Sequence, residues 1–110
     1  MSYKCPDLVF SLKDRSREDC VRILHGLHEY LSDRGNMLSE NEPADKLRQR
    51  GGASTYHIEG NTVLVGIVPR PIKPLALNGY YDVQVIVEGQ SKLNLVEELR
   101  TKVFSDTLSH

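Results

Sequence analysis

The chain has 110 residues, of which 39% are apolar and 26% charged, and its formal net charge is -1. That length accommodates one hydrophobic core, so residues 1-110 are expected to form a single domain, and the ordinary charge content excludes a chain kept unfolded by self-repulsion. No run approaches the roughly 18 apolar residues that cross a membrane, and a net charge near zero gives the whole molecule no long-range pull toward nucleic acid.

The start of the chain lacks the apolar stretch of a signal peptide, so the protein is expected to stay in the compartment where it is made. Cys5 and Cys20 have no C-x-x-C spacing, which fits a reducing compartment and free thiols. Leu8, Phe10 and Leu12 alternate with Val9, Ser11 and Lys13. This pattern reads as a short strand or an extended arm within residues 1-15. Ser16 followed by Asp19 resembles a capping box, and Cys20, Leu24, Leu27 and Leu31 then repeat at helical spacing. Gly35 is the expected stop.

Residues 36-54 are polar and read as a long mobile loop, in which one or two helical turns from Pro43 to Arg50 would be marginal unless something packs against Leu47. Two β-branched runs on either side of Gly60-Asn61 read as a hairpin, its second strand, Val63 to Val68, central in the sheet. Gly66 suggests close approach of a neighbouring backbone. Pro69, Pro71 and Pro74 are expected to interrupt pairing until Asn78-Gly79 opens a last strand. In that strand Tyr81, Val83, Val85 and Val87 face the core, while Tyr80, Asp82, Gln84, Ile86 and Glu88 face out. Ser91 is the expected cap of a final helix carrying Leu93, Val96, Leu99 and Val103 on one stripe, with Leu95 and Phe104 beside it and a frayed tail from Asp106. The fold expected is therefore α+β: an antiparallel sheet of three to four strands, two helices on one face, in the order (β)αβββα.

Chemistry is sparse. His25 and His28 stand i, i+3 on the first helix, but zinc needs three or four ligands, and neither His57 nor His110 shows ligand spacing. The pair reads as a solvent-facing flank, and no metal or cofactor is assigned. There is no G-x-S-x-G motif, and Gly51-Gly52 lacks the Lys-Ser/Thr of a P-loop and reads as a flexible joint. Glu97 and Glu98 are adjacent on a helix and point about 100° apart, which suits solvent better than paired catalysis. No catalytic residue is expected. The P-x-x-P segment Pro69-Arg-Pro-Ile-Lys-Pro74 reads first as a stiff connection and second as a preformed contact surface. Its Arg70, Ile72 and Lys73 with Leu75, joined by Arg48 and Arg50 of the polar loop, are the candidate interface residues.

Val65-Gly-Ile-Val-Pro-Arg-Pro71, the strand Gly79-Tyr-Tyr-Asp-Val-Gln-Val-Ile-Val-Glu-Gly89 and the Leu/Val helix after it resemble the tail-terminator or minor-capsid (tail-completion) proteins of tailed bacteriophages. The pattern from Tyr30-Leu31 to Gly35 adds to the likeness, which spans roughly residues 20-108. The resemblance implies a structural virion protein, not an enzyme, present in the host cytoplasm during assembly. Identical subunits, six by that analogy, would ring the head-proximal end of the tail, between tube and head-connector proteins, with DNA passing only through the lumen. The long polar loop and the N-terminal arm depart from that family's pattern, so no ring contact carries over. Alternative readings are a small protein-binding module of the inhibitor or immunity kind, a double-stranded RNA-binding domain of the same αβββα order, and a small metal-dependent enzyme using His25 and His28. Glu97 and Glu98 stand in the final helix where an RNA reader needs cations.

Overall fold

The structure, a computed structural model, describes residues 5-71 and 79-104. Its elements are β1 (Leu8–Ser11), α1 (Arg17–Arg34), β2 (Asn36–Met37), α2 (Asp45–Arg48), β3 (Gly52–Ile58), β4 (Asn61–Pro71), β5 (Gly79–Glu88) and α3 (Lys92–Leu99), the last widening into a π-helical turn over Arg100–Phe104. The α+β class stands as expected, but the described residues form three α-helices rather than two, and the antiparallel sheet has five strands rather than three or four, in the order β1-β5-β4-β3-β2.

Period-two alternation sets the inner face. In register, Phe10, Val83 and Ile67 form one row, Leu8, Val85, Val65 and Ser54 a second, and Val87, Val63, Tyr56 and Met37 a third. Against these rows pack Cys20, Ile23, Leu24, Leu27 and Leu31 of α1 and Leu95, Val96 and Leu99 of α3, all in one buried cluster. Each fully buried Val or Leu stabilises the fold by about 1.5 to 3 kcal/mol relative to exposure. Both long helices thus cover one side of the sheet, and among the described residues no helix covers the other.

α1 begins as its sequence dictates, the Ser16 hydroxyl accepting from the Asp19 N–H at 3.1 Å. It ends at Gly35 for a reason the sequence hid. Gly35 is extended, with φ -165°, and a Cβ there would lie 2.1 Å from the His57 carbonyl oxygen. Close approach of β3, not a left-handed turn, requires the glycine.

Five expectations are corrected. Residues 36-54 are not one loop: Asn36 and Met37 pair with His57 and Tyr56, the Leu38 N–H donates to the Thr55 carbonyl at 2.8 Å, and Thr55 N–H donates to the Ser39 hydroxyl at 2.7 Å. Polar side chains here satisfy a neighbouring strand, which local sequence cannot reveal. The hairpin turn is Glu59-Gly60, at φ 49° and 82°, because Asn61 is buried at the head of β4. Its Nδ2 donates to the Ile58 carbonyl at 3.2 Å and its Oδ1 accepts the Ser91 N–H at 3.0 Å. Ser91 consequently starts α3 through its backbone, with no side-chain cap. Leu93 is 82% exposed and leaves the stripe to Leu95, Val96 and Leu99. The side chains expected to continue that stripe at Val103 and Phe104 fall outside the described set.

The fifth correction concerns Pro69 and Pro71, which do not stop the sheet. Pro69, Arg70 and Pro71 pair with Tyr81, Tyr80 and Gly79. Prolines two residues apart offer their ring nitrogens to the same edge, and β3 has already left β4 at Ile67, so that edge needs no donor. The segment holding Ile72, Lys73, Pro74, Leu75 and Asn78, and the tail from Asp106, fall outside the described residues. Among the described residues no helix is long and apolar enough to cross a membrane.

Candidate functional site

Because β3 pairs with β4 only as far as Ile67 and β1 pairs with β5 only from Asp82, the pairs Pro69–Tyr81, Arg70–Tyr80 and Pro71–Gly79 run past both neighbouring strands. They form a two-stranded ribbon at one end of the sheet. At its foot, Arg70 Nε donates to Asp82 Oδ2 at 2.9 Å, and the Lys13 ammonium lies 5.8 Å from the centre of the Tyr80 ring. A cleft of about 180 Å³ opens there, floored by Leu12, Cys20 and Leu47 and edged by Arg15, Arg17 and Tyr81.

The turn between α2 and β3 packs against the same foot. Gly51 and Gly52 are at φ 118° and 140°, and a Cβ on Gly51 would lie 3.0 Å from both the Ile67 carbonyl oxygen and Pro69 Cδ. This glycine pair is therefore a close-packed corner, not a loose joint. It sets Arg50, itself at φ 61°, beside the ribbon, while Arg48 pairs with Asp45 at 2.8 Å and keeps its side chain 77% exposed. Of the interface residues expected from sequence, Arg48, Arg50 and Arg70 thus share one end of the molecule. Ile72, Lys73 and Leu75 lie outside the described residues.

The outer face of the sheet is the second feature. Val9, Gln84, Gly66 and Ala53 form one row across it, and Ile86, Leu64 and Thr55 another. Val9 is 54% exposed, and Leu64, Val68 and Ile86 are half-buried.

No protein-family model, curated protein or solved structure matches the chain.

A third feature joins the flank of α1 to the segment before α2. His25 Nδ1 lies 3.2 Å from Glu42 Oε1 and its Nε2 lies 3.1 Å from Glu29 Oε1. His28 Nε2 lies 3.3 Å from Glu42 Oε2, and its Nδ1 lies 2.7 Å from the Tyr56 hydroxyl. His28 is accordingly not a solvent-facing flank residue; it is the polar partner that lets the wholly buried Tyr56 sit in an apolar row. Burial, and then the Glu42 charge, push the Tyr56 hydroxyl far above its ordinary pKa, so it keeps its proton. Its hydrogen bond to Glu42, and the charge of that carboxylate, raise His25 above the ordinary histidine value. The carboxylate lies between the two rings, and among the described residues no three His, Cys, Asp or Glu groups are arranged to hold a metal ion.

Sequence reasoning missed Glu42, 17 residues from His25, because only the return of the chain along β2 brings it to α1. The usable signal was Tyr56: a tyrosine in the buried phase of a strand needs a partner for its hydroxyl. Cys20 is buried, its thiol pushed up chiefly by desolvation and placed 4.0 Å from the Arg15 carbonyl, which is the setting of a packing residue rather than a nucleophile.

Proposed function

We propose that this chain is a structural subunit of the phage tail-terminator kind, which works by assembling with copies of itself into a ring. The observation that carries the reading is the ribbon of Pro69–Pro71 and Gly79–Tyr81, which extends beyond β1 and β3; among the described residues no further strand pairs with it, and the chain just after β1 meets only its base, Leu12 N–H donating to the Tyr81 carbonyl at 2.8 Å. Short two-stranded ribbons gain little by themselves and become stable when a neighbour covers them. Pro69 and Pro71 deny one ribbon edge its donors, which disfavours open-ended strand-to-strand growth and favours side-chain docking.

Area decides how far such an interface extends. Five strands at about 4.8 Å spacing and about 3.3 Å per residue give the outer sheet face on the order of 400 Å². A stable interface takes about 800 Å² per partner. The open face alone falls short, so the contact on this reading also includes the ribbon and the Arg48–Gly51 corner. A closed ring needs different patches on the two sides of each subunit, and this chain offers two: the apolar outer face around Leu64 and the cationic ribbon foot.

Native mass spectrometry and electron microscopy of the purified chain test the reading. Rings of a fixed copy number, six by analogy, are expected as concentration rises, and adding the protein to polymerising tail-tube subunits should cap growth. A monomer persisting at high micromolar concentration with no effect on tube length would refute it.

A further inference from the structure

We propose that His25, Glu29 and Glu42 form a proton-dependent latch that holds the segment before α2 against α1 and so steadies the Arg48–Gly51 corner that follows it.

Donor and acceptor roles at the site carry the inference. Both ring nitrogens of His25 face carboxylate oxygens, Nδ1 to Glu42 at 3.2 Å and Nε2 to Glu29 at 3.1 Å. A neutral imidazole has one N–H and one lone pair. In that state one of the two nitrogens would turn its lone pair on a carboxylate oxygen, and only the imidazolium donates in both directions. His28 differs. The Tyr56 hydroxyl can donate to its Nδ1 at 2.7 Å, and its Nε2–H can then donate to Glu42 at 3.3 Å, so the neutral ring is fully satisfied. Two histidines three residues apart therefore differ in their partners: both ring nitrogens of His25 face carboxylates, whereas His28 joins the Glu42 carboxylate to the Tyr56 hydroxyl.

The charged and titratable groups facing His25 are Glu29 and His28 from its own helix and Glu42 from the segment packed on it, with Tyr56 of β3 behind His28. The His25 and His28 ring centres stand 6.3 Å apart. Two carboxylates against one imidazole favour its charged form, in agreement with the upward direction of its pKa. A group whose folded pKa is raised contributes fully below its unfolded value and loses the contribution as pH rises through the folded one. The latch is thus closed on the acid side and released on the alkaline side.

Glu42 is well placed to transmit the change. Its carbonyl accepts the Asp45 N–H that opens α2, and the Lys46 carbonyl accepts the Gly51 N–H that closes the corner. Leu38, Ser39 and Ser54 hold the earlier part of the segment to β3 independently, so release loosens the α2 corner and leaves the sheet intact.

The latch does not rest on the ring assembly proposed above, and its test needs none. Amide exchange of the folded chain, corrected for intrinsic rates, would be measured at about pH 5.5 and about pH 8, on either side of ordinary histidine titration. The expected result is lower protection of the Asp45, Lys46 and Gly51 amides at the higher pH, unchanged protection of Val65 and Val85, and loss of that difference in Glu42→Gln. The same variant should lower the His25 pKa followed by the ring-proton shifts, whereas His25→Gln should leave corner protection indifferent to pH. Equal protection at both pH values in the parent chain would overturn the proposal, as would a Glu42→Gln chain that folds and keeps the parent's pH response.

Discussion

A methyl group on Gly35 would sit 2.1 Å from the His57 carbonyl oxygen and 2.8 Å from Ile58 Cγ1, whereas one on Gly66 would find its nearest neighbours at 3.8 and 4.0 Å. The nearest of the first set, the His57 carbonyl, is backbone and cannot rotate away, so Gly35→Ala must push α1 off β3. A loss of about 3 kcal/mol is expected, at the upper end of ordinary point substitutions. Gly66→Ala should be neutral or stabilise by about 0.5 kcal/mol, because it restricts the unfolded chain and adds a side chain to a strand. Urea unfolding of the two variants measures both, and a large loss in the first with none in the second is the check. Sequence reading assigned the close backbone approach to Gly66 and the helix stop to Gly35. A glycine in a string shows that a side chain is missing but not what fills its place, and here the crowded site proves to be the helix terminus. The same limit hid the reason for Gly51, whose crowding comes from Ile67 and Pro69 across the sheet.

At the scale of elements, α3 shows how a correct type can carry a wrong phase. At 100° per residue, Leu95, Val96 and Leu99 define a buried arc from whose centre Leu93 is about 110° removed. Asn61 fixes that rotation by holding the Ser91 N–H, an anchor 30 residues away that periodicity cannot register. Leu99→Ala should therefore cost about 2 to 5 kcal/mol, and Leu93→Ser should stay within about 0.5 kcal/mol of the parent chain, both measured by thermal or denaturant unfolding. Equal losses would restore the stripe through Leu93. α1, β4 and β5 were legible because each carries its own apolar repeat over many residues. β2 was not, since two residues held only by pairing with β3 have no pattern of their own. The prolines of β4 were legible as residues and misread as breaks, because their tolerance depends on β3 ending at Ile67. Of the candidate site, the arginines were visible as charges, but their gathering at the ribbon foot follows from register, and the His25–Glu42–His28 arrangement follows from the course of β2.

For the whole molecule, the proposed ring makes a demand that separates it from any two-fold dimer. A heterologous interface joins two different patches, so damage to either patch stops growth, yet each damaged copy keeps one good side. Leu64→Glu would place a charge in the middle of the open sheet face, between Ile86 and Thr55 in register. Arg48→Glu with Arg50→Glu would reverse the charge of the ribbon foot without touching the core. Each variant alone should remain a folded monomer, with unfolding close to that of the parent chain, because every altered side chain is exposed or half-buried. Mixed one to one, the two should form a pair of twice the monomer mass, through the intact foot of one and the intact face of the other, and should stop there, since the remaining patches are both damaged. Light scattering on the separate and mixed proteins reads this directly. Rings from either variant alone would remove its patch from the interface. A mixture that stays monomeric would show that face and foot do not meet, and the ring reading would then need another pair of surfaces.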